Sequence, residues 1–337
     1  MRKILNSKGE PIVLSERESR IANAVQRQVN DLGYEINITT LTTIMKKVTE
    51  QKFFEIAPAD YLPVRVGEGA WSSNLVTYRS FNQADDFETG NLNTGGSNTR
   101  LAVADAGVDS LTISVKNWAK QIGWSLIDLQ MAAKAGNWDL VTAKERSRKK
   151  NWDLGIQKVA FLGLKGDSSC LGLLNQAGIT SNLTVITKAI KTMSPAELNT
   201  LLANLMDAYR LNCQRTAWPT HFIIPESDYV GLATQASATF PMKSILQLLE
   251  EALKTITRND SFKVLPLAYG DNVYSGLGVQ RYVLTNYNEE SVRMDIPVDY
   301  TNTLANSTDN FSFQNVGYAQ YTGVLAYRPS ELLYFDY

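Results

Sequence analysis

The chain has 337 residues, 44% hydrophobic and 20% charged, with 33 basic against 34 acidic side chains and a single histidine. That length supports one large domain or two to three smaller ones with a proper core, and the near-zero net charge excludes the broad electropositive footprint of a tight nucleic-acid binder. No window approaches the roughly 18 consecutive apolar residues of a membrane span, and the opening MRKILNSKGEPIVLSERESR lacks the apolar segment of an export signal, so cytoplasmic synthesis is expected.

In chain order, Glu16 to Leu32 spaces Ile21, Val25 and Val29 four apart, as in a helix, within what otherwise reads as an arm. From Tyr61 to Trp124 the composition shifts to Gly, Asn, Ser and Thr with short β-prone pieces. These are Asn74 to Phe81 and Ser110 to Trp118, the latter alternating Leu111, Ile113 and Val115 with Thr112 and Ser114. Between them, Gln83 to Gly107 is too poor in large apolar residues to bury itself, and connections beyond about 12 to 15 residues are usually functional. The spacing predicts a long hairpin reaching away from the body.

A long helix is expected over about Asn137 to Gly163, with Trp138, Val141, Trp152, Ile156 and Val159 on one face. The basic run AKERSRKK, Ala143 to Lys150, wraps the other side and reads as a solvated face. After a glycine-rich loop, Ser194-Pro195-Ala196-Glu197 is a capping box with proline at the first helical position. Leu198, Leu201, Leu202, Leu205 and Tyr209 then line one stripe. His221 to Ile224 reads as a strand, Ile245 to Ile256 as an amphipathic helix, and Tyr282 to Thr285 and Val292 to Val298 as strands. Phe311 to Tyr337 is aromatic-rich and β-prone.

Motifs for chemistry fail on inspection. The loop FLGLKGDSSCLGLLNQAGIT, Phe161 to Thr180, holds four glycines, but Lys165 precedes Gly166 and the helix precedes the loop. A phosphate cradle needs the reverse order, because a helix C-terminus carries partial negative charge. Gly67-Glu68-Gly69 lacks the third glycine of a dinucleotide fingerprint. His221 sits in the apolar stretch HFII with no GxSxG elbow to serve, so a satisfied imidazole is expected. Asp85-Asp86, Glu250-Glu251 and Glu289-Glu290 are sequence neighbours pointing to different sides of their elements, although an oxygen-ligand cation site near Asp85-Asp86 is conceivable. Cys170 and Cys213 form no CxxC pair and offer neither a disulfide framework nor a zinc site. No cofactor is implied.

Three stretches carry a resemblance. They are the long helix running into Leu164-Lys165-Gly166-Asp167 and Leu171-Gly172-Leu173-Leu174-Asn175, then THFIIPESDYVGLATQ from Thr220 to Gln235, then GVLAYRPSELLYF from Gly323 to Phe335 with its Arg328-Pro329 pair. In this order, over about Tyr61 to Tyr337, they resemble the major capsid proteins of tailed double-stranded DNA phages, the Hong Kong 97-type capsid fold. The resemblance implies an α+β chain with an N-terminal arm (1–60), an extended β-hairpin loop (61–118), a peripheral domain with a spine helix and glycine loop (119–180), an axial domain (181–285) and returning peripheral strands (286–337).

It also implies a non-enzymatic shell of pentamers and hexamers around DNA, located in the virion and assembled in the host cytoplasm. On that reading Trp71, Tyr78, Arg79, Asp85, Asp86, Phe87 and Arg100 of the extended loop meet a neighbouring subunit. Trp138, Trp152, Gly163, Gly166 and Gly172 build the spine and its loop, and Lys144, Arg146, Arg148, Lys149 and Lys150 are candidates for the inner face, in weak contact with DNA. Partners are further copies of the chain, a separate scaffolding protein suggested by the short arm, a portal, and decoration proteins. The tip has asparagines but no lysine, so the isopeptide crosslink of some relatives is not carried over. An encapsulin-like compartment is the alternative shell. A soluble α/β enzyme with an interdomain cleft is the alternative from another class, and the scarcity of histidine argues against it. In both shell readings the glycines of Phe161 to Thr180 form a bend, because glycine accepts positive φ at helix ends.

Overall fold

A computed structural model of the protein describes residues 3–5, 11–13, 52–83, 105–134, 139–236, 243–307, 309 and 311–337. They fall into two units, Met1–Phe53 and Phe54–Tyr337. In the first, β1 (Lys3–Leu5) pairs antiparallel with β2 (Pro11–Val13), Lys3 opposite Val13. The expected helix at Glu16 to Leu32 lies outside the described residues.

The second unit begins with β3 (Val64–Val66) and a hairpin of β4 (Asn74–Gln83) and β5 (Asp105–Ser114), paired in register from Asn74 opposite Ser114 to Gln83 opposite Asp105. The alternating Ser110 to Trp118 segment divides at Val115, and the chain continues as β6 (Lys116–Ser125). Helix α1 (Leu126–Lys134), absent from the sequence reading, follows, and then α2 (Leu140–Leu162). The long helix therefore starts two residues after Trp138, with Asp139 as its N-cap accepting from the Thr142 N–H.

Next come β7 (Ser181–Asn182), α3 (Pro195–Asn212), β8 (His221–Pro225), α4 (Glu226–Thr234) and α5 (Ile245–Thr257). The expected capping box is present at Ser194, whose side chain accepts from the Glu197 N–H while Glu197 accepts from Ser194. The rest is β9 (Lys263–Leu267), α6 (Asn272–Ser275), β10 (Arg281–Thr285), β11 (Val292–Ile296), β12 (Val298–Asn302), β13 (Asn306–Ser307), β14 (Ser312–Tyr321), β15 (Val324–Ala326) and β16 (Leu332–Asp336). Pro297, which has no N–H to give a ladder, separates β11 from β12 where one strand was expected.

A five-stranded sheet in the order β7-β16-β10-β8-β9 divides the interior into two cores. Alternate side chains of its strands serve opposite faces, as the period of two requires. Phe222, Ile224, Tyr282, Leu284, Leu333 and Phe335 join Leu201, Leu205 and Tyr209 of α3 and Leu249 and Leu253 of α5. Ile223, Val283, Leu332 and Tyr334 join Val159 and Phe161 of α2, with Leu173, Leu174 and Met294. This two-sided burial explains why β8, β10 and β16 read as nearly continuous apolar runs instead of alternating ones. A second sheet runs β15-β11-β3, and a third is built on β14, with β12 and β13 on one edge and β6 on the other.

Candidate assembly surfaces

The end of α2 shows what the glycine loop does. Gly163 has φ 71°, which turns the chain out of the helix, and Gly166 (φ 84°) and Gly178 (φ 75°) also occupy the left-handed region that favours glycine. The returning chain then donates to the helix's last carbonyls: Leu173 N–H to Ala160 at 2.8 Å and Leu174 N–H to Phe161 at 2.9 Å. Asn175 adds its side-chain amide to the Leu162 carbonyl at 2.8 Å. These are acceptors that a helix C-terminus leaves open. Gly172 makes the close approach possible, since a Cβ there would lie 2.4 Å from the Phe161 carbonyl carbon. The N–H groups of Leu173 and Leu174 are directed into the protein's own helix and others, such as Leu164 to Cys170 and Asp167 to Leu164, close the loop on itself, so it is a bend and a cap.

Trp152 of α2 is buried against Trp118 at 5.3 Å and Tyr321 at 5.9 Å, locking the helix onto the β6–β14 sheet. Trp138 lies outside the described residues. The basic run divides. Arg146 and Lys149 are exposed, whereas the Lys144 ammonium donates to the Gly123 carbonyl at 2.7 Å and Lys150 is paired with Glu55. Arg148 corrects the expectation of an inner-face cation, because it is 1% exposed. Its guanidinium donates to Asn315 Oδ1 at 2.7 Å, Asn302 Oδ1 at 3.0 Å and the Tyr300 hydroxyl at 2.9 Å. A buried guanidinium needs such a full set of acceptors, so Arg148 ties α2 to β12 and β14 and reaches no surface.

The hairpin has two unlike faces. Ile113 is buried, while Val76, Tyr78 (72% exposed) and Val108 (70% exposed) share the opposite face. Its base is fixed at three points. Trp71, with φ 65°, donates its N–H to Gln320 Oε1 at 2.8 Å and sets its ring 5.6 Å from that of Tyr318. Arg79 pairs with Asp109 at 3.3 Å and donates to the Tyr327 carbonyl. Lys116 pairs with Asp167 at 2.6 Å, and this hydrogen-bonded ammonium, helped by Ser169, lowers the Asp167 carboxyl to about 2. Asp85, Asp86, Phe87 and Arg100 lie outside the described residues.

His221 is buried, stacked at 4.9 Å on Tyr287, and burial lowers its pKa to about 4. Thr220 Oγ1 accepts the Tyr287 N–H and lies within hydrogen-bond distance of His221 Nδ1, at 3.0 Å. Cys170 and Cys213 are buried free thiols. Among the described residues no group of three or more His, Cys, Asp or Glu could hold a metal, and no helix is long and apolar enough to cross a membrane.

One apolar surface was not legible in the sequence. Leu126, Ile127 and Met131 of α1 join Phe311 around a groove of about 350 Å³. The helix is short and Phe311 lies far away in sequence, so no periodic signal links them.

This arrangement of spine helix, glycine bend, long hairpin and two-core sheet is the Hong Kong 97-type capsid fold. The capsid of Myoviridae phage XM1 matches with a TM-score of 0.72 at 17% identity, covering 90% of this chain and 99% of that one. The capsid of a native GTA particle matches at 0.56 and 12% identity over 90% and 97% of the two chains. A structure from Mycobacterium phage Ogopogo matches at 0.55 and 10% identity over 91% and 98%. Comparison with curated proteins finds no match. The model of the major capsid protein family matches residues 92–337, and the chain belongs to that family of structural, non-enzymatic proteins.

Proposed function

We propose that copies of this chain tile an icosahedral head shell as pentamers and hexamers and enclose double-stranded DNA. The observation that carries the reading is the family match over 92–337. The molecule supplies suitable material for it: a body with two cores of its own and a hairpin whose Val76, Tyr78 and Val108 face stays uncovered. Closed shells require one surface to serve several slightly different contacts, and obligate interfaces of this kind bury roughly 2,000 Å² or more.

In this reading 61–118 is the extended loop lying over a neighbour, 119–180 and 286–337 form the peripheral domain, and 181–285 is the axial domain near the capsomer centre. The core gathered around α3 and α5 supports the 181–285 assignment, and it also takes in Leu333 and Phe335 of β16 from the last segment. Near-neutral charge suits a container, since a strongly basic wall would hold DNA by counterion release. Scaffolding, portal and decoration proteins are the further partners of such a shell, and the virion is its destination.

Negative-stain microscopy of the protein, expressed alone and with its neighbouring head genes, tests the reading. Closed particles of uniform diameter are expected. A monomer under every condition overturns it.

A further inference from the structure

The third sheet has an open edge whose register is fixed by its hydrogen bonds. Val316 of β14 turns its backbone toward β12, accepting the Thr303 N–H at 2.9 Å and donating to Thr303 Oγ1 at 2.9 Å. Leu126 N–H bonds to the Phe311 carbonyl at 3.1 Å, which extends the β6–β14 ladder by one rung. Antiparallel ladders alternate, so the even-numbered residues of β6 bond to β14 and the odd-numbered ones face away.

The outward groups at one end are covered. Gly123 C=O accepts from Lys144 at 2.7 Å, and Ser125 N–H donates to Asp128 at 3.0 Å. At the other end Asn117, Ala119 and Gln121 are exposed, and their outward N–H and C=O groups have no hydrogen-bond partner among the described residues. An open edge of this kind is a template for a further strand.

The hairpin carries the matching half. Val115 N–H bonds to the Ser73 carbonyl at 3.0 Å, so the odd-numbered residues of β5 bond to β4. Val108, Ser110 and Thr112, all exposed, turn their N–H and C=O groups away from it. A two-stranded ribbon is marginal alone and gains from a third strand.

We propose that β5 of a second copy adds antiparallel to the open edge of β6. Thr112, Ser110 and Val108 then bond to Asn117, Ala119 and Gln121 in turn. This rests on the shell reading and names the surface that receives the hairpin. Among the in-phase registers this one brings a charge pair and an apolar pair together, whereas a four-residue shift sets Asp109 opposite Lys116, which Asp167 already holds, and Gly107 opposite Trp118. The proposed register puts Asp109, which also pairs with Arg79 at 3.3 Å within its own hairpin, directly opposite Lys120, whose ammonium has no ion pair among the described residues, and Leu111 opposite Trp118. Both fall in non-hydrogen-bonded pairs, where opposed side chains approach closest. β5 contains aspartates and no basic residue, and β6 contains lysines and no acidic one. A shift by one residue loses the charge pair and sets the outward backbone groups out of phase.

Cysteine pairing reads out the register, because non-hydrogen-bonded pairs approach disulfide spacing and Cys170 and Cys213 are buried. Particles of Asp109→Cys with Lys120→Cys, treated with a mild oxidant, are expected to give covalent multimers on denaturing gels. Ser110→Cys with Lys120→Cys, one residue out of register, should give at least about tenfold less. In wild-type particles the amides of Asn117, Ala119 and Gln121 should exchange at least about tenfold more slowly than in dissociated subunits, a readout that needs no variant. Wild-type particles with unchanged exchange at these amides, or crosslinking no better than the out-of-register control, overturn the edge pairing and leave the shell reading standing. A wild type that forms no particles overturns both.

Discussion

The five-stranded sheet and the hairpin are both built from short β-prone runs, yet the chain treats them in opposite ways. Every residue of β8, β16 and nearly all of β10 is buried within this chain. β5 leaves Val108, Asp109 and Ser110 exposed in succession. The sheet's stability is therefore internal, supplied by two apolar cores, whereas the hairpin leaves its Val76, Tyr78 and Val108 face uncovered, the face that the proposed shell would give to a neighbour. A protein that must first fold and then fit several neighbours gains from this division, because substitutions in one region need not disturb the other.

The largest effect is expected in the body. Trp152→Ala removes a buried ring packed on Trp118 and Tyr321 and should cost about 3 to 5 kcal/mol, read as a lowered melting temperature of soluble subunits. Gly172→Ala should cost about 1 to 3 kcal/mol, because the new Cβ meets the backbone of Phe161, Leu162 and Gly163. An unchanged melting temperature for either would place the spine outside the folded body's ledger and dissolve the contrast.

A smaller, pH-dependent effect belongs to His221. Its pKa falls from an ordinary 6.5 to about 4 on folding, so the unfolded chain binds the proton more readily. Stability is then full above pH 6.5 and declines as pH falls from there toward 4. His221→Gln should flatten that part of the melting-temperature profile, and an identical slope in both proteins would assign the acid sensitivity to carboxylates. The smallest stability effect is expected on the hairpin. Tyr78→Asp should change folding by no more than about 0.5 kcal/mol while sharply lowering particle yield, and intact assembly would show that this face meets no neighbour.

The sequence exposes short-range features well. The capping box at Ser194, the stripe of α3 and the alternation in β5 are decided by residues a few positions apart, and all three stand in the structure. The glycine bend was legible for the same reason, since helix polarity and lysine order excluded a phosphate site. Arg148 was misread because its acceptors, Asn302 and Asn315, lie more than 150 residues downstream, and within AKERSRKK it looks like any solvated cation. The continuation of the hairpin strand past Val115 into β6 was hidden too, because the pairing changes partner there from β4 to β14. Which edge of β6 stays open depends on that distant partner, so periodicity alone could not reveal the receiving surface.

The claim that the body folds alone while the hairpin serves neighbours is tested most directly by replacing residues 76–112, which carry its uncovered face and open edge, with a short Gly-Ser linker. Wild type and variant are then sedimented side by side under assembly conditions, with circular dichroism as the control for folding. Long surface connections contribute little to folding, and closure cost changes slowly with length. The account predicts matching melting temperatures, with wild type in the particle fraction and the variant remaining as subunits or aberrant assemblies. Normal closed shells from the variant, or a variant that no longer folds, would contradict it.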